Sequence, residues 1–114
     1  MSQEKIQQLQ MIEQNLSNIS MQKQQFQNQL FEIENALKEL KSSKQSFKIV
    51  GNIMIESGKA DLEKELNDKR EISELRVQTF EKQEKELQEQ AKKVQEEVLS
   101  EMKKNEETPT EAGN

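Results

Sequence analysis

The chain contains no cysteine, histidine, tryptophan or tyrosine. Without cysteine it has no disulfide framework and no thiol site, which suits a reducing cytosol. Lacking both cysteine and histidine, it cannot build an ordinary zinc centre or a Ser-His-Asp or Cys-His nucleophile. Its three glycines, Gly51, Gly58 and Gly113, are too scattered to cradle a phosphate. Aromatics make up 4% of the residues, all phenylalanine, and the formal net charge is −5. No basic patch is interleaved with aromatic rings, so nucleic acid is not an expected partner. No apolar run is long enough to span a bilayer, and nothing at the start reads as a signal peptide. The many carboxylates lie beside lysines on solvated helix faces, with no cleft to drive two pKa values apart. These absences argue against an enzyme, a metal or cofactor site, and a nucleic-acid or membrane partner, and none is expected.

What remains is 31% hydrophobic and 34% charged. That is too little apolar material for a compact globular core, but it recurs with a period, which argues against disorder. Abundant Glu, Lys, Gln and Leu with a single proline favour long helices, and the length allows one domain at most.

The first helix is expected over about residues 4–42. Leu9, Ile12, Leu16, Ile19, Phe26, Leu30, Ile33, Leu37 and Leu40 alternate spacings of three and four, with Lys23 as the one polar occupant. That is the a/d seam of a coiled coil. At 1.5 Å per residue such a helix is roughly 55–60 Å long. A second helix is expected over about 60–104, with Val77, Phe80, Leu87, Ala91, Val94 and Val98 on its seam and Glu84 as a polar occupant. Upstream, Leu62, Leu66, Ile72 and Leu75 leave that register. Leu66 and Val77 are eleven residues apart, which predicts a stutter, with Phe31, Ile72 and Leu75 filling it. Residues 105–114, rich in acid and containing Pro109, read as a disordered tail.

Between the helices, residues 46–57 read differently. Phe47, Lys48, Ile49 and Val50 are strand-like. Gly51-Asn52 is a two-residue hairpin turn, with glycine supplying a positive φ, and Ile53, Met54, Ile55 and Glu56 return. The turn predicts Val50 opposite Ile53 and Ile49 opposite Met54. One face then carries Lys48, Val50, Ile53 and Ile55, and the other Phe47, Ile49, Met54 and Glu56. A lone hairpin with two apolar faces and two open edges is marginal in water. It is therefore expected to be an oligomerisation element, covered by the same hairpin in another subunit. The alternative is a hairpin folded back on its own helices.

Helices of similar length joined by a tight hairpin should pack antiparallel, placing Leu40 near Leu62, Ile12 near Ala91, Leu9 near Val94 and Ile6 near Val98. The expected fold is all-α dominated: a two-helix antiparallel coiled coil joined by one hairpin, with both termini at the far tip. That tip carries apolar residues its seam does not need: Ile6, Met11, Leu99 and Met102. They are candidates for binding unfolded chains, since methionine adapts to varied partners. Equally, they could be ordinary exposed residues or fasteners of the helix ends.

The helix–hairpin–helix plan resembles the prefoldin family, specifically its beta class of archaeal type. The most specific match is Phe47-Lys48-Ile49-Val50-Gly51-Asn52-Ile53-Met54-Ile55, similar to the family's aromatic-Lys-x-x-Gly-Asn/Pro-aliphatic hairpin. Leu62, Leu66, Arg76 and Glu81-Lys82-Gln83-Glu84 resemble its second helix. The resemblance covers nearly the whole chain, as one domain over 1–104. It implies a cytoplasmic hexamer of two alpha and four beta subunits, with hairpins forming a β-barrel platform. It implies tips that capture non-native proteins without ATP and deliver them to a group II chaperonin. Carried onto this sequence, the platform residues are Phe47, Ile49, Val50, Gly51, Ile53, Met54 and Ile55. The tip residues are Ile6, Leu9, Met11, Ile12, Val94, Val98, Leu99 and Met102. The heptads taken alone would also suit a structural coiled-coil scaffold or spacer.

Overall fold

The computed structural model describes residues 2–107, apart from the side chains of 2 and 105–107. Helix α1 spans Ser2–Ser42, strand β1 Ser46–Val50, strand β2 Ile53–Ser57 and helix α2 Lys59–Glu107. Two long helices with a single antiparallel hairpin between them are the fold the periodicities predict. The helix α2 continues three residues past the expected end at 104, through Glu107. Residues 105–107, expected to begin the tail, are therefore helical. Residues 108–114 lie outside the described residues.

The chain divides into two compact units. One comprises Met1–Met21 with Phe80–Asn114, and the other Gln22–Thr79. In the first, Ile12, Ala91 and Val94 form a buried cluster against which Leu9, Leu16, Leu87 and Val98 pack. The Lys5 ammonium reaches Glu101 at 2.5 Å and Glu97 at 3.9 Å. Lys5 meets Glu101 while Ile12 meets Ala91 and Val94, so the two helical segments of this unit run antiparallel. Lys5 is four residues before Leu9 and so occupies the seam's next position. Ile6, expected against Val98, is instead exposed and outside the cluster.

The second unit holds the remaining helical segments and the hairpin. Leu40 and Val77 are buried, and Phe26, Leu30, Ile33, Leu37, Leu62 and Leu66 are half-buried. The stutter is occupied differently from the expectation. On one face Leu62, Leu66, Arg70, Ser73 and Val77 are withdrawn from solvent, flanked by half-buried Glu65 and Asn67, whereas Phe31, Ile72 and Leu75 are exposed. The steps from Leu62 to Ser73 are four, four and three, an eleven-residue passage that replaces the heptad rhythm. Each residue turns a helix by 100°, which sets Leu75 opposite the face that Leu66 and Val77 share and Ile72 about 120° from it, at its flank. Hydrophobicity suggested them; helical rotation keeps them off the seam.

The junctions between elements are closed locally. The Ser43 amide donates to the Leu40 carbonyl at the end of α1, and the Leu62 amide to the Gly58 carbonyl at the start of α2. Asp61 adds negative charge to the first turn of α2, where the helix dipole favours it. The Lys59 ammonium donates to the Lys41 carbonyl at 3.1 Å, satisfying an orphan acceptor at the α1 terminus.

Candidate assembly hairpin and apolar surfaces

The hairpin has the expected register: Val50 pairs with Ile53, Ile49 with Met54, Lys48 with Ile55, Phe47 with Glu56 and Ser46 with Ser57. Gly51 has φ of 61°, and no other described residue has positive φ. A positive φ at the first central position alone is the pattern of a type II′ turn, whose twist suits a two-residue hairpin. At the open end, the Ser46 hydroxyl donates to the Ser57 carbonyl at 2.6 Å and ties the strands together.

The six large apolar side chains of the hairpin are all exposed in the single chain. Phe47 and Ile55 are 48% and 49% accessible, and Ile49, Val50, Ile53 and Met54 lie between 51% and 68%. The sheet has two strands, so each strand keeps one edge of backbone donors and acceptors unpaired. An apolar surface bordered by open edges is what an interface looks like before its partner arrives.

The hairpin is joined to α2 by an ion pair absent from the expectations. The Lys48 ammonium lies 2.9 Å from a Glu65 carboxylate oxygen, and Lys69 approaches the same oxygen at 3.9 Å. The hydrogen bond from Lys48 holds the Glu65 carboxyl below its ordinary range; partial desolvation opposes this, and the charges of Lys48 and Lys69 add to it. Seventeen residues separate Lys48 from Glu65, so no periodicity could have signalled the pair.

The eight tip candidates divide between two situations. Leu9, Ile12, Val94 and Val98 are taken up by the core of the first unit, with Ile12 and Val94 only 6% and 5% accessible. Leu9 and Val98 are half-buried at its margin. Ile6, Met11, Leu99 and Met102 are exposed. In the second unit, Phe26, Ile33, Ala36, Leu66, Ile72 and Ser73 line an open groove of about 620 Å³. The Arg76 guanidinium stands 5.7 Å from the Phe26 ring centre, within cation–π range. The groove arises because α2 offers small Ser73 on its seam while α1 flanks it with small Ala36. Among the described residues, no group of three or more acidic side chains is arranged to hold a metal, and no helix is long and apolar enough to cross a membrane.

Comparison with known proteins agrees with this architecture. The family described as Prefoldin subunit matches residues 3–105. A prefoldin subunit beta of Saccharolobus islandicus is 38% identical over 89 residues, covering 75% of this chain and 71% of that protein. One from Pyrobaculum aerophilum is 37% identical over 100 residues, covering 85% and 79%. The crystal structure of the prefoldin beta subunit from Thermococcus strain KS-1 superposes with a TM-score of 0.82 at 32% identity, covering 87% of this chain and 90% of that one.

Proposed function

This chain belongs to the prefoldin family, and we propose that it serves as the beta-class subunit of a hexamer with two alpha and four beta chains. Its chaperone role follows from the family. In the finer reading, the complex holds non-native proteins at its coiled-coil tips without ATP and passes them to a group II chaperonin in the cytosol. The observation that carries this reading is the hairpin: six exposed apolar side chains between two unpaired edges. A plain scaffold has no use for such a surface, whereas a platform of hairpins buries it and pairs its edges.

Client capture falls to Ile6, Met11, Leu99 and Met102, the tip candidates that the core leaves exposed. They combine adaptable methionine with bulky aliphatic groups, suited to apolar segments of varied sequence.

The test is reconstitution with an alpha-class subunit, read by native mass and by suppression of aggregation of an unfolded protein without nucleotide. Changing Ile49→Asp together with Ile53→Asp should destroy the hexamer. Replacing Ile6, Met11, Leu99 and Met102 with serine should leave the hexamer intact and weaken capture. A homodimer unaffected by the hairpin change would establish the scaffold reading instead. Undiminished capture by the intact serine-substituted hexamer would remove the tip assignment.

A further inference from the structure

The two faces of the hairpin are not equivalent, although the sequence makes both apolar. One face carries Ser46, Lys48, Val50, Ile53, Ile55 and Ser57, and the other Phe47, Ile49, Met54 and Glu56. Every hairpin side chain that is withdrawn from solvent, namely Ser46, Lys48 and Ser57, belongs to the first face. The apolar side chains are exposed on both faces, Val50, Ile53 and Ile55 on the first and Phe47, Ile49 and Met54 on the second. The Lys48 ammonium, the single cation of the hairpin, is held by Glu65 in the second turn of α2. The first face is thus tied to the chain's own helix at its base, and the second has no such tie.

We propose that Lys48 and Glu65 are positioning residues for assembly: their ion pair holds one hairpin face against α2 and thereby commits the Phe47–Ile49–Met54 face to the hairpin of another subunit. This rests on the reading of the hairpin as the assembly element. The occupant is a hairpin because a second copy offers the same apolar face for this one, and strands whose backbone can pair with the open edges of this two-stranded sheet. An exposed ion pair adds little to stability, so its consequence is geometric. The hairpin is attached through residues 43–45 on one side and Gly58 on the other. A flexible attachment leaves two apolar faces in competition for the interface, whereas one fixed contact between a strand and a helix selects between them.

The experiment is a charge reversal and its swap, in full-length chains assembled with an alpha-class subunit and weighed by native mass spectrometry. Lys48→Glu and Glu65→Lys each set like charges together, so each should reduce the hexamer roughly tenfold or more at equal subunit concentration. The double variant K48E/E65K restores the pair with opposite polarity and should return assembly close to the wild-type level. Raised salt should narrow the differences between variants. Normal assembly by both single variants would overturn the proposal, and so would a swap that fails to rescue. Loss of helix in a single variant leaves the swap as the deciding arm. The Ile49→Asp/Ile53→Asp variant runs in parallel: normal assembly there defeats the platform reading itself. Its failure to assemble beside unaffected charge reversals defeats only the role of Lys48 and Glu65.

Discussion

Gly51 in the hairpin turn and Glu65 in α2 have effects that can be measured singly. Gly51 is held at φ of 61°, and a Cβ added there meets nothing within 4 Å. The cost of Gly51→Ala is therefore backbone strain alone, about 1–2 kcal/mol, and it should appear as weaker assembly with the α-helical signal unchanged. Glu65 supplies a pH dependence. Its carboxyl titrates below the ordinary 4.5, chiefly because Lys48 donates to it. A carboxyl depressed in the folded chain contributes its stabilisation above the unfolded value near 4.5 and loses it as the pH falls through the lower folded value. Wild type and Glu65→Gln should accordingly differ at neutral pH and converge in acid below that value. Thermal or denaturant curves of the two, compared across pH, check this. A difference that grows on acidification would contradict the pairing.

At the scale of the element, the seams decide what a substitution costs. Ile12 lies in the cluster with Ala91 and Val94, so Ile12→Ala should destabilise by roughly 2–3 kcal/mol, the lower part of the range for buried aliphatic truncations. Its neighbour Met11 is exposed, and Met11→Ala should change stability by less than about 0.5 kcal/mol. Ser73 is the informative exception: it is a 4% accessible polar residue on a seam otherwise filled mostly by apolar side chains. Ser73→Ala removes a buried hydroxyl and should gain about 0.5 kcal/mol in helix propensity, visible as a higher melting temperature. Ser73 also shows why the stutter was only partly legible. The eleven-residue spacing from Leu66 to Val77 is plain in the sequence. The filling of the intervening seam positions by Arg70 and Ser73 runs against hydrophobicity and follows from helical rotation alone.

At the scale of the molecule, the chain leaves the apolar side chains of its hairpin uncovered. A two-stranded hairpin with exposed side chains has little to protect its backbone amides. Hydrogen exchange on the isolated chain should find the amides of residues 46–57 fast, while those near Ile12, Ala91 and Val94 exchange slowly. In the assembled complex the hairpin amides should become protected, and the melting temperature should rise with subunit concentration, as expected when folding and association are linked. Hairpin amides already slow in the lone chain would mean that the hairpin is stabilised within its own subunit.

The sequence by itself determined the order of elements, the strand register and the coiled-coil seam of α1. Each rests on a local signal: spacings of three and four, alternation by two, and a Gly-Asn turn that allows one pairing of Val50 with Ile53. Tertiary structure alone decided which of the apolar residues near Ile12 and Val94 the core takes up, and that Lys48 reaches Glu65. Those outcomes depend on side chains meeting across long separations in the chain. Periodicity records which residues share a face, but not what that face meets.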